Sequence, residues 1–133
     1  MPGERNITTL LQNMKPEMRE GVFVFCSISD DREIPATLRP VHIFREREGT
    51  AFIVRREEAE AVGLPYQFAS RLITLTVHSS LEAVGFLAAI TGRLAEAGIS
   101  VNAVSAFHHD HLFVPEHIAN EALRQLLDLA KHA

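Results

Sequence analysis

The sequence predicts an α+β protein, an antiparallel sheet with helices packed on one face, and three observations between Arg71 and Val114 carry that expectation. Ile73, Leu75 and Val77 alternate with Thr74, Thr76 and His78, the period of a half-buried strand. Val84, Leu87, Ile90, Leu94 and Ala97 follow at spacings of three and four, which stacks them on one helix face, and Gly98 supplies the left-handed residue that commonly ends a helix. The alternation then returns at once with Ile99, Val101, Ala103, Ser105 and Phe107. Strand, helix, strand, strand and a further helix in this order imply the split β-α-β arrangement of ferredoxin-like domains.

Each element has its own justification. Asn6 is an N-cap for a short helix with the stripe Ile7, Leu10, Leu11 and Met14, which Pro16 closes. Val22 to Ile28 is apolar on both faces and reads as a central strand. Asp30 to Pro40 holds two prolines and mixed charge, so a loop stands where a helix would be. Val41 to Arg45 and Thr50 to Val54 form a hairpin around Glu46-Arg47-Glu48-Gly49, and Glu57 to Val62 a short helix ended by Gly63. Ser79, three residues before Glu82, fits a capping box at the start of the helix that follows Val77. His108 to His111 turn the chain into Leu112, Phe113 and Val114, and Pro115 suits the first position of a last helix with the stripe Ile118, Ala122, Leu126 and Ala130. The first half thus repeats the second in degraded form. The reading is a tandem, residues 1–65 and 66–133, as interdependent halves of one unit. It counts six strands where two complete halves need eight, so strands are shared, exchanged or absent.

Composition excludes several functions. With 133 residues, 47% hydrophobic and 23% charged, the chain is an ordinary globular protein, and no apolar run is long enough to cross a bilayer. The first residues show no secretory pattern and a single cysteine forms no internal disulfide, which makes the cytoplasm the expected location. A net charge of -4 with interspersed signs, no Trp and one Tyr argues against nucleic acid. His108, His109, Asp110 and His111, with His117 beyond, are metal-ligand types, but His109 and His111 project to one face and the other two away, so no metal site is expected. Ser79 and Ser80 lack a nucleophile elbow and the scattered His and Asp define no triad, so no catalytic residue and no cofactor is expected either. Cys26, within an apolar strand, reads as a small buried hydrophobe.

The serine-rich turn is different, because a helix N-terminus offers unpaired amides and partial positive charge to a carboxylate. Val77-His78-Ser79-Ser80-Leu81 leading into Val84-Gly85, then LAEAGISVNAVSAF and HHDHLFVP, resemble the ACT domains, and LLQNMKPEM before GVFVFCSI extends the likeness over nearly the whole chain. The chain looks like the small free-standing ACT proteins related to the effector-binding modules of aspartate kinase. The resemblance implies a non-catalytic regulatory protein that binds a small molecule, an amino acid by the habit of the family. It implies a site where this first turn meets a neighbouring unit, at Ser79, Ser80, Leu81, Val84 and Gly85, with Ser100 and Asn102 as additions. Open sheet edges at the hairpin and at Leu112 to Val114 imply a homodimer. The alternatives are a structural or protein-interaction module that keeps the fold without a ligand, and an uncharacterised enzyme.

Overall fold

A computed structural model describes residues 3–133, and the backbone forms two compact units. One is Gly21–Ser70; the other joins the residues up to Glu20 to Arg71–Ala133. The strand β5 (Gln67–Leu75) crosses the boundary and contributes residues to each.

In the Gly21–Ser70 unit, β2 (Phe23–Ile28) lies between β4 (Gly49–Arg55) and the first residues of β5, and β3 (His42–Glu46) pairs only with β4. All pairs are antiparallel, with Cys26 opposite Phe52 and Phe44 opposite Ala51. The core is Val24, Cys26, Ile28, Phe52 and Val54 under Ala59 of α2 (Arg56–Ala61), with Leu38 and Leu64 from the loops. Burial raises the Cys26 thiol pKa, as expected for a cysteine acting as a hydrophobe. The segment between β2 and β3 has no helix; its Leu38 is buried in the core, and the Arg39 amide is held by Glu58 at 2.6 Å.

The second unit carries three helices on one sheet face. α1 (Ile7–Asn13) is capped by the Asn6 side chain, which accepts from the Thr9 amide at 2.9 Å. α3 (Phe86–Glu96) and α4 (Ala119–Lys131) lie beside it, and Arg93 of α3 bonds Gln125 and Asp128 of α4. Leu10, Met14, Phe86, Ile90, Leu94, Ala122 and Leu126 close over Ile73, Leu75, Leu112 and Val114. Beneath them β7 (Asp110–Pro115) runs between β5 and β6 (Asn102–Ser105). The expected strand at Leu112 to Val114 is therefore interior, and β6 lies at an edge of this unit's sheet.

A seventh strand, β1 (Pro16–Met18), pairs antiparallel with the end of β5, Pro16 opposite Leu75 and Met18 opposite Ile73. It supplies one of the strands the sequence count lacked. Lys15, at φ 41°, reverses the chain after α1, and Pro16 stands at the first strand position, where its missing amide hydrogen does no harm. Three residues show no periodicity, so pattern reading sees only the end of a helix.

Candidate functional site

The predicted helix start at Ser79 is corrected by the structure. α3 begins seven residues later, at Phe86, and its N-cap is Gly85 at φ 94°, a backbone conformation that strains any residue with a Cβ. Ser79 and Glu82 form no capping box, because the Ser79 hydroxyl is committed elsewhere: it donates to Asp110 Oδ2 at 2.9 Å in a buried contact. Ser80 instead closes a turn, its carbonyl accepting from the Ala83 amide and its hydroxyl from the Glu82 amide. On its other side the segment is held by Glu4, which bonds His78 and Ser80 through the backbone.

This displaced start opens a pocket of about 130 Å³ in the unit that carries α3. Ser79, Ser80, Leu81 and Gly85 line it, joined by Phe86, Leu87 and Ala88 of the first helical turn and by Ser105 and Asp110 of the β6–β7 hairpin. No side chain caps α3, so the three amides that helix geometry leaves unpaired belong to residues on the pocket wall. The other positions named from the sequence lie off this wall. Val84 is 83% exposed, Ser100 is exposed after α3, and Asn102 opens β6 opposite Phe113.

Asp110 is the residue that sequence reasoning passed over. It is only 5% exposed, and among the described residues no Arg or Lys forms an ion pair with it; its hydrogen-bond partner is the Ser79 hydroxyl. A buried carboxylate so lightly compensated favours a cationic or donor-rich visitor. Its position in HHDH pointed to a turn or a metal. Only the pairing of Ser105 with Asp110 across the hairpin shows that it faces the helix start.

The histidines divide into separate tasks. His78 and His108 place their rings 5.3 Å apart and so join the segments that carry Ser79 and Asp110, while exposed Phe107 packs edge-on against His108. His111 lies beyond them, its Nδ1 3.0 Å from the Thr74 hydroxyl, which also takes a long contact from Arg19. Among the described residues no three metal-binding side chains gather. Burial first, then His109 and Arg19, hold the His111 pKa below 6.5, against a weaker opposite pull from Asp110. Folding thus keeps this ring neutral, and the unfolded chain takes up the proton first. The contribution to stability is present above 6.5, where both states are neutral, and is lost as pH falls from there through the lower folded-state value. We expect the wild-type melting temperature to drop between about pH 7.5 and about pH 5 more than that of His111→Gln, measured by calorimetry; parallel profiles would refute the assignment.

With this geometry in view, comparison with known proteins places two matches in tandem: residues 2–71 and residues 67–128 each fit an ACT-domain model. No curated protein matches. Among solved structures, a Vibrio cholerae protein of unknown function, described as a possible transport protein, is 42% identical, with a TM-score of 0.83 over 92% of this chain and 94% of that one. An Agrobacterium tumefaciens protein is 16% identical, TM-score 0.73, over 86% and 87%. The ligand-free regulatory subunit of aspartate kinase from Thermus thermophilus is 11% identical, TM-score 0.65, over 86% and 95%. The last two likenesses concern the fold alone.

Proposed function

Because the chain belongs to the ACT-domain family, with two such domains in tandem, we propose that it is a non-catalytic regulatory module whose ligand is an amino acid. The observation that carries this reading is the pocket between the uncapped start of α3 and buried Asp110. Its two ends have opposite electrical character. The Phe86–Ala88 amides and the helix dipole attract a carboxylate, and Asp110 attracts an ammonium group. An α-amino acid carries both charges one carbon apart. At about 130 Å³ the pocket is well below the roughly 300–1,000 Å³ of sites for larger ligands, which suits a molecule of this size over a nucleotide. Ser79, Ser80, Leu81 and Gly85 form its near wall; Val84, Ser100 and Asn102 serve through a neighbouring unit or not at all. No helix of the described residues is long and apolar enough to cross a membrane. A cytoplasmic homodimer completes this reading, the second copy answering to open sheet edges such as that of β3.

A second reading, an interaction module without a ligand, draws on the exposed apolar side chains Leu81, Val84 and Phe107 near the same loops. A thermal-shift screen of the twenty amino acids separates the two. At a hundredfold excess over Kd a true ligand adds about 2.7 kcal/mol by linkage, a rise on the order of 10 °C for a chain of this length. A flat response to all twenty at millimolar concentration would leave the interaction module standing.

A further inference from the structure

We propose that residues 79–85 are a helix–loop switch, in which an amino acid holds the loop form by occupying amides that an N-terminally extended α3 would need. This rests on the ligand reading above and adds what occupancy changes in the chain. The segment carries two incompatible sets of instructions. Its sequence is that of a helix start: Ser79 and Glu82 have capping-box spacing, and Val84 continues the stripe of Leu87, Ile90 and Leu94. In the loop form neither instruction is followed, and Leu81 and Val84 are left 68% and 83% exposed. Contacts from outside the segment hold it there. The Glu4 amide donates to the His78 carbonyl at 2.9 Å and the Ser80 amide to the Glu4 carbonyl at 2.8 Å, while the Ser79 hydroxyl donates to Asp110. Gly3 lets this strap lie flat on the loop, because a Cβ there would stand 2.6 to 2.7 Å from backbone atoms of His78, Ser79 and Ser80. Glu4 is exposed, so the strap is held by backbone bonds with little apolar burial, the kind of contact that opens independently of a core.

The two forms compete for the same donors. Helical bonding runs from each amide to the carbonyl four residues back, so an extended α3 gives the Phe86, Leu87 and Ala88 amides to Glu82, Ala83 and Val84. In the loop form the first helical bond is that of the Ala89 amide to the Gly85 carbonyl at 3.0 Å, and the three amides before it have no helical partner. A carboxylate bound there and a helix extended through residues 80–85 exclude each other, which gives an amino acid the differential affinity that a switch requires. Gly85 is the pivot. Its φ of 94° belongs to the loop form, whereas the extended helix needs the ordinary negative φ, and glycine alone takes both without strain.

Gly85→Ala is the test, since it penalises the positive φ and raises helix propensity, and its Cβ meets nothing within 4 Å. The two effects together should favour the extended helix about 10- to 100-fold, enough to bring a form populated at roughly 1–10% to parity or beyond. Backbone NMR of the full chain should show helical carbon shifts at residues 80–85 and slowed exchange at the Phe86–Ala88 amides. Gly3→Val, which lifts the strap from outside the segment, should move the same signals in the same direction. Val84→Pro added to Gly85→Ala should return them to loop values, because proline does not fit inside the extended helix. An equimolar mixture of the twenty amino acids at millimolar concentration should shift the Phe86–Ala88 amides of wild type and leave those of Gly85→Ala unmoved. Loop values at residues 80–85 in both Gly85→Ala and Gly3→Val would overturn the switch, whatever the protein binds. An extended helix in Gly85→Ala together with a wild-type response to the mixture would overturn the competition for amides. If wild type ignores the mixture although Gly85→Ala extends the helix, the amino-acid reading fails and the two-form segment stands.

Discussion

Gly49→Val is expected to prevent the Gly21–Ser70 unit from folding. Gly49 opens β4 at φ 145°, a region that L side chains rarely adopt, and a Cβ there would lie 2.1 Å from the Ile28 carbonyl oxygen and 3.0 Å from its carbon. Both obstacles are backbone, fixed by the pairing of Ile28 with Thr50, so no rotamer change relieves them. Relief requires β2 and β4 to separate, which uncovers the core around Phe52, Val54 and Cys26. Backbone strain and lost packing together should exceed about 4 kcal/mol, a large part of the 5–15 kcal/mol that holds a domain of this size. Urea denaturation and proteolysis of the purified variant measure it. The control is Gly92→Ala in α3, where a Cβ meets open space, which should raise stability by roughly 0.5–1 kcal/mol. A Gly49→Val protein with wild-type stability would show that β2 and β4 do not approach as described.

Asp110→Asn should lower the affinity for the amino acid found in the thermal screen about 10- to 100-fold, the effect of removing a hydrogen bond to a charged group worth about 1.5–3 kcal/mol. Asn is nearly isosteric and its carbonyl still accepts from the Ser79 hydroxyl, so the loop and the fold should persist. Stability of the empty protein should hold or rise, because a poorly compensated carboxylate has left a buried position. A readout of charge makes the test specific. The deaminated acid of the same ligand, which lacks the ammonium group, should bind wild type and Asp110→Asn alike. Isothermal titration compares the four pairings. If Asp110→Asn weakens both compounds equally, the residue merely tethers Ser79 and does not read the amine.

The start of α3 at Phe86 also changes what a substitution at Gly85 means. Within a helix a β-branched residue would cost only a few tenths of a kcal/mol. At the N-cap, with φ 94°, any side chain is strained, although a Cβ there meets nothing within 4 Å. Loss of binding in a Gly85 variant would mix backbone strain with blocked approach, and Asp110 is the cleaner position to probe.

Periodic apolar patterns determined much of this molecule without help from its fold. They place β2, the hairpin of β3 and β4, α3 and α4, the missing first helix and the tandem order, because the period of an element and the face it buries are written in consecutive residues. They do not place β1, whose three residues become a strand only when β5 offers a partner more than fifty positions away. They also put the start of α3 at Ser79, the better local cap, which Asp110 takes out of use from 31 residues along the chain. Gly49 looked like a turn residue and is required for the approach of the Ile28 carbonyl. The pocket arises from the same competition, since the residues between Ser79 and Gly85, denied a helix, stand away from α3 and leave its first amides beside a buried carboxylate. Local sequence states what each residue prefers, and where two preferences claim one hydroxyl or one backbone edge, only the packed chain decides between them.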